Sequence, residues 1–347
     1  THGLDLCGHP GQACDLGPGR WFQVPGQDLV WRWVLPDDPS ALEGVESTQG
    51  KCSSSAAAHL GRRFNSNECF GAYGHEFNER EMLGLANWCF VRGVNRLYPH
   101  AFYYSIRGPR RHERPPDVGP HSPWWPRYQR FAEACRWLSW LITDATHVCQ
   151  VAVLGLSDHL PWAAAKHLFQ HQIDFNYLEA RHLWEDACVS ANGIRLRGFH
   201  YPVLIVESPP EPPPRIWESL APLLAAGGVC AYRADAPGTR RVDDAPALLA
   251  ALRNRITPDL TLEIPEPALR VRHMLKHDRH VWLLANESYR PLAVRAQPLR
   301  PGPFRLLNPW DRTDEPWDPA TPIPIAPAAS VVLVEAPPEY PYQSVGE

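Results

Sequence analysis

Lysine is nearly absent from this chain: only Lys51, Lys166 and Lys276 appear among 34 basic residues. Against 38 acidic residues the formal net charge is −4, which argues against nucleic acid or an anionic membrane surface as a partner. The many arginines, with the excess of proline and alanine, read as coding bias and carry no functional weight. No apolar run approaches the roughly 20 residues that span a bilayer. Nine cysteines stand singly with no C-x-x-C pair, an odd count in a chain too long to need a disulfide framework. Free thiols in a reducing, cytoplasmic setting are the expectation. Ser157-Asp158-His159 follows the apolar run Val148–Leu156 where a dinucleotide site would carry a glycine fingerprint. No G-x-S-x-G elbow is present. His167 and His171 share a helical spacing without the H-E-x-x-H pattern, so no metal site is expected there.

What is present is apolar and aromatic: 44% hydrophobic residues, with 14 Trp, 11 Tyr and 11 Phe, enough for several cores. Residues 1–145 alternate strand-like runs (Gly3–Gly8, Trp21–Val24, Arg63–Asn67, Arg96–Tyr104) with helices (Thr48–Gly61, Glu79–Gly93, Arg127–Leu141). That alternation predicts βα units and a parallel sheet. Residues 146–258 predict a second, open α/β block. In 259–347 short period-two strands separated by Pro/Gly/Asp-rich turns predict a small β-sandwich. Thr1 leads straight into a strand-like run, so the N-terminal part of a longer protein is expected to precede it.

The chemistry concentrates in residues 1–145. Asn67-Glu68 closes an extended run and opens the loop Gly71-Ala72-Tyr73-Gly74. In β/α barrels the catalytic groups stand where strands end and loops begin. A carboxylate there suits general acid/base or nucleophilic work on a sugar, or else a structural ion pair. His9, Asp28, His100 and Arg107 fall near other strand ends and, with Asn67 and His75, offer hydrogen bonds to sugar hydroxyls. Tyr103, Tyr104, Trp124 and Trp125 offer apolar platforms for sugar rings. Each of these residues can equally brace a loop, and the tryptophans can pack beneath the segment Gly108–Pro123.

Three stretches together resemble a known family. They are Phe22-Gln23-Val24-Pro25-Gly26-Gln27-Asp28; Lys51-Cys52-Ser53-Ser54-Ser55-Ala56 leading to Asn65-Ser66-Asn67-Glu68-Cys69-Phe70-Gly71; and Phe90-Val91-Arg92-Gly93-Val94-Asn95 through Pro99-His100-Ala101-Phe102 to Trp124-Trp125. These are similar to bacterial glycoside hydrolases related to the α-L-rhamnosidases of family 106. The resemblance implies an α/β chain: the C-terminal half of a (β/α)8 barrel, a flavodoxin-like, doubly wound domain similar to the β-galactosidase trimerisation domain, then a β-sandwich. It places Glu68 at the end of barrel strand seven, as nucleophile, or as general base in the inverting, calcium-associated family 106. The acid/base would end strand four, ahead of this chain. The implied partner is an oligo- or polysaccharide such as an α-L-rhamnoside, with self-association through the second domain. The rival expectation is a non-catalytic carbohydrate-binding or structural module.

Overall fold

The computed structural model describes residues 16–207 and 212–336. The strand expected at Gly3–Gly8, and with it His9, lies outside the described residues. In the first unit β1 (Gly26–Val30), α1 (Gln49–His59), β2 (Ser66–Gly71), α2 (Glu79–Val91), β3 (Arg96–Pro99) and α3 (Tyr128–Ile142) alternate. The three strands pair in parallel in the order β1-β2-β3. Among the described residues this sheet does not close into a barrel. The run Trp21–Val24 is not a strand. Pro18 fixes the start of a 3-10 turn over Pro18–Trp21. Pro25 has no N–H to donate, and the sheet begins where its carbonyl accepts from the Ser66 amide at 2.9 Å. Helix α2 starts in a reciprocal cap between Asn78 and Glu81 and buries Met82, Leu85, Ala86, Cys89 and Phe90.

The second unit runs β4 (Thr146–His147), β5 (Val151–Gly155), α4 (Ala163–Gln170), β6 (Phe175–Glu179) and α5 (His182–Glu185). An antiparallel insertion, unexpected from the sequence, follows as β7 (Cys188–Ser190), β8 (Gly193–Leu196) and β9 (Phe199–Tyr201). Then come β10 (Val203–Glu207), α6 (Pro214–Ala225), β11 (Val229–Tyr232), β12 (Arg241–Val242) and α7 (Ala245–Arg253). Five of these strands form one parallel sheet, ordered β12-β11-β10-β5-β6. Their side chains are buried on both faces, as a parallel sheet between helices requires. Glu207, at the end of β10, accepts from the Ala163 and Ala164 amides at 3.1 and 2.6 Å. Burial raises its pKa. A doubly wound fold can receive a phosphate at such a helix N-terminus; here the chain's own carboxylate fills the seat.

The third unit is antiparallel: β13 (Leu260–Leu262), β14 (Leu269–Lys276), β15 (Arg279–Asn286), β16 (Leu292–Val294), β17 (Ala296–Pro298), β18 (Phe304–Asn308), β19 (Thr313–Trp317), β20 (Ile323–Ile325) and β21 (Ser330–Glu335). Six strands pair as β19-β18-β21-β15-β14-β4, so the short β4 belongs to this sheet. One face of the sheet, including Met274, Val281, Leu283 and Val332, packs on α2 and α3. The other, including Trp282, Leu284 and Leu333, shares a core with the two small sheets β13-β17 and β16-β20.

The three units meet at two buried charge clusters. Arg92, just past α2, lies between the Trp88 and Phe169 rings, its guanidinium 4.1 and 4.5 Å from their centres. It pairs with Glu287, which also accepts from Arg270 Nε at 2.8 Å. Nearby, Asp174 accepts from Lys51 of α1 and from His147 of β4 at 2.6 Å, with Arg272 at 3.8 Å. Burial alone would raise the Asp174 pKa, but Lys51, His147 and Arg272 hold it well below the usual carboxylate range. Burial pulls the Lys51 ammonium down to about 8, against the pull of Asp174. Burial, helped by Arg272, brings His147 down to about 3; burial, helped by His182, does the same to His59, whose Nε2 lies 2.7 Å from the Tyr201 hydroxyl.

Two outcomes follow. Glu287→Gln leaves two buried guanidiniums without a counter-charge and should cost about 3–5 kcal/mol in urea unfolding; a loss below 1 kcal/mol would contradict the cluster. His59 and His147 are neutral in the fold, whereas the unfolded chain protonates them below about 6.5. The unfolded state therefore binds more protons between about 6.5 and 3, and stability falls as pH drops through that window. Urea midpoints between pH 7.5 and 4 should show that slope, and the double variant His59→Gln, His147→Gln should flatten it.

Candidate functional site

Strand register gathers the site. Asp28, Glu68 and Tyr98 are partners across β1, β2 and β3. Neighbouring strands stand about 4.8 Å apart, so the three side chains form one row. The adjacent Leu29 and Cys69 are fully buried against α2 and α3. By alternation, Asp28 and Glu68 therefore face away from the helices, and both are partly exposed. Glu68, 30% exposed, lies 2.9 Å from the Nδ1 of His100. This direct contact with the imidazole restrains the orientation of Glu68.

Immediately beyond Glu68 the regular ladder stops. The pairing shifts between Leu29 and Val30, and Phe70 and Ala72 adopt φ of 79° and 56°. Left-handed backbone is unusual for a residue as bulky as Phe, and such distortions cluster where a chain re-aims side chains at a site. Here the twist turns Phe70 into the core while Glu68 stays open to solvent. Gly74, at φ 84°, takes a left-handed conformation that an L side chain enters only with strain.

The loop after β3 folds back over this end of the sheet. Ala101 pairs with Pro116 and Val118, and Arg114 accepts from the Gly74 amide at 2.8 Å. Tyr103 donates to the Pro115 carbonyl at 3.0 Å and its ring lies 6.4 Å from that of His75. The structure thus brings Asp28, Glu68, His75, His100 and Tyr103 to one end of the sheet. Arg107 lies farther out, exposed on the excursion of the same loop.

Two candidates are placed otherwise. Asn67, 0% exposed, points to the helix side of the sheet, opposite Glu68. Its amide cannot reach a sugar on the Glu68 face, because consecutive strand residues point in opposite directions. Trp124 is buried with its ring 6.4 Å from Phe77, so it belongs to the core and is no sugar platform. Its neighbour Trp125 is 38% exposed and stacks on Tyr128 at 5.2 Å, with Phe102 edge-on at 6.0 Å. Sequence reasoning missed Tyr98 and Trp31. Trp31 follows β1, hydrogen-bonds to Gly71 and lies beneath the Arg114 guanidinium at 4.6 Å. Placing the strand at Gly26–Val30 would have exposed both.

Among the described residues no three His, Cys, Asp or Glu side chains converge. A cleft of about 610 Å³ lies between β3 and α3, lined by Phe64, Tyr98, Trp140 and Lys276. The seven described cysteines are all free, and none of the described helices is long and apolar enough to cross a membrane.

No protein-family signature matches the chain, and no curated protein matches it in sequence. Solved structures do match. A rhamnosidase from Novosphingobium sp. PP1Y superposes with a TM-score of 0.67 at 14% identity, covering 94% of this chain and 36% of that one. A family 42 β-galactosidase from G. stearothermophilus gives 0.58 at 11%, covering 94% and 61%. An exo-carrageenase of family 42 from Bacteroides ovatus gives 0.58 at 10%, covering 91% and 48%. The chain thus spans between about a third and six tenths of these neighbours and shares a fold with glycoside hydrolases; the resemblance to family 106 gains nothing finer.

Glu68→Gln alters a partly exposed side chain that lies against His100. It should shift the urea unfolding free energy by less than about 0.5 kcal/mol, as expected of a surface ion pair. A loss of several kcal/mol would mark Glu68 as a structural group.

Proposed function

We propose that this chain is part of a glycoside hydrolase in which Glu68 is the nucleophile or general base at the anomeric carbon. The single observation that carries the reading is the row Asp28–Glu68–Tyr98, with His100 on Glu68, at the distorted strand ends of a parallel βα sheet. Shared fold with a rhamnosidase and with β-galactosidases supports the reaction class. The three neighbours carry different substrate names, so the fold leaves the sugar open, with α-L-rhamnoside the reading the sequence resemblance favours.

The chemistry follows from the parts. Glycosidic cleavage passes through an oxocarbenium-like state that a carboxylate stabilises, either by direct attack or by deprotonating a water. His100 holds Glu68 in one orientation, so no ordering is required at the moment of reaction. Asp28 on the neighbouring strand accepts hydrogen bonds from sugar hydroxyls. Trp31 and Trp125 are partly exposed, and a pyranose can stack on the ring face that Arg114 and Tyr128 respectively leave uncovered. A second carboxyl about 5 Å from Glu68 would give retention, and one roughly 6.5–9.5 Å away inversion.

The test is hydrolysis of aryl rhamnosides and galactosides by the protein that carries this chain. Glu68→Gln should lower kcat by about 10³-fold or more with sugar affinity near normal, and His100→Ala by about ten- to a hundredfold. Unchanged turnover in the Gln variant would remove Glu68 from the mechanism. Saturable sugar binding without turnover in the parent protein would favour the carbohydrate-binding module instead.

A further inference from the structure

We infer that the substrate is an anionic glycan, one whose sugars carry uronate carboxylates or sulfate esters, held by the arginine loop that overhangs Glu68. The inference rests on the glycoside hydrolase reading and specifies its substrate class.

The loop leaves the sheet directly after His100 and returns at Pro116, which closes its base on Ala101 at 3.1 Å. Its whole outer stretch, residues 107–114, is exposed. Four arginines, Arg107, Arg110, Arg111 and Arg114, and one histidine, His112, stand there against a single carboxylate, Glu113. This is the reverse of the chain's net charge of −4. Glu113 is taken by Arg110 at 3.3 Å. Among the described residues, Arg107, Arg111 and Arg114 have no carboxylate partner. Some exposed arginines elsewhere sit on an Asp or Glu, as Arg63, Arg127, Arg130 and Arg312 do, and others, such as Arg96, Arg136 and Arg253, have no such partner among the described residues; what sets this loop apart is four arginines within eight residues beside Glu68.

Position and aromatic content separate this loop from an ordinary solvated one. Arg114 lies over the Trp31 ring, beside the strand ends that carry Asp28 and Glu68. Tyr104, on the same excursion, is fully exposed, and the exposed Phe102 edges onto Trp125. Guanidinium forks match carboxylate and sulfate oxygens, while flat rings match the apolar face of a pyranose. A neutral glycan would use the rings and leave the guanidiniums idle.

Affinity gel electrophoresis of the 347-residue protein tests this with four embedded polymers. Polygalacturonate is the uronate arm, a sulfated galactan the sulfate arm, a neutral galactan the uncharged sugar, and polyglutamate an acidic polymer without sugar. Retardation should be stronger in one or both anionic glycans than in the other two. It should weaken by about tenfold in the triple variant Arg107→Glu, Arg110→Glu, Arg111→Glu, as expected for lost charge-assisted contacts. Adding about 0.5 M NaCl should also weaken it by screening. Unchanged circular dichroism shows that the variant folds, and the single variant Tyr104→Ala should weaken the glycan arms while leaving polyglutamate unmoved. Equal binding of neutral and anionic glycans, equal binding of polyglutamate, or an unaffected triple variant each overturns the inference while the glycosidase reading stands. Binding to none of the sugars counts against both, and turnover of aryl glycosides then decides whether that reading alone survives.

Discussion

Two buried carboxylates, Asp174 and Glu287, hold the three units in register. Each faces cations delivered by different parts of the chain: Lys51 from α1 and Arg272 from β14 on one, Arg92 beyond α2 and Arg270 from β14 on the other. A pair of this kind contributes little net stability over a well-packed apolar core, since desolvation consumes most of the Coulomb gain. Its effect is on geometry. An arginine shut away from water tolerates no sliding of the element that bears its partner. The first sheet, whose strand ends carry Glu68, is thereby fixed relative to the antiparallel sheet behind its helices.

The same clusters explain where sequence reasoning stopped. The alternation Leu269-Arg270-Val271-Arg272-His273 reads as a strand with one wet face, yet both faces are covered. Arg270, Arg272 and Met274 point toward the first two units, while Leu269 and Val271 face the sandwich core. A one-dimensional pattern cannot tell a solvated arginine from one that meets a carboxylate far along the chain, as Arg272 meets Asp174. Helices were readable because caps and periodicity are local: Asn78 and Glu81 announce α2 before any tertiary contact is known. Strand β1 was misplaced because Trp21–Val24 is the more apolar run, whereas Gly26–Val30 carries Gln27 and Asp28, and pairing begins only past Pro25. Pairing of Glu68 with His100 was out of reach, although both residues were singled out, since it depends on register between strands. The arginines of the loop after β3 were set aside with all the others; only the fold shows that these cluster beside the candidate site.

The second unit illustrates how a fold and a function part company. Its strand order is that of many nucleotide-binding proteins, with the switch in direction between β5 and β10. At that point Glu207 caps α4 with an anion of its own. A phosphate there would meet a like charge in the place it needs empty. The strand order alone therefore carries no functional conclusion for this unit, which must rest on a site and not on the fold.

The two-residue strand β4 has a consequence for synthesis. Among the described residues Thr146 and His147 pair with Leu275 and Met274, which leave the ribosome some 130 residues later, on the order of ten seconds at ordinary translation rates. Until then Lys51, Asp174 and His147 lack Arg272, and the helix faces of α2 and α3 lack their sheet. The nascent chain therefore waits with an apolar surface and an incomplete ionic cluster exposed, and its first unit is dressed last.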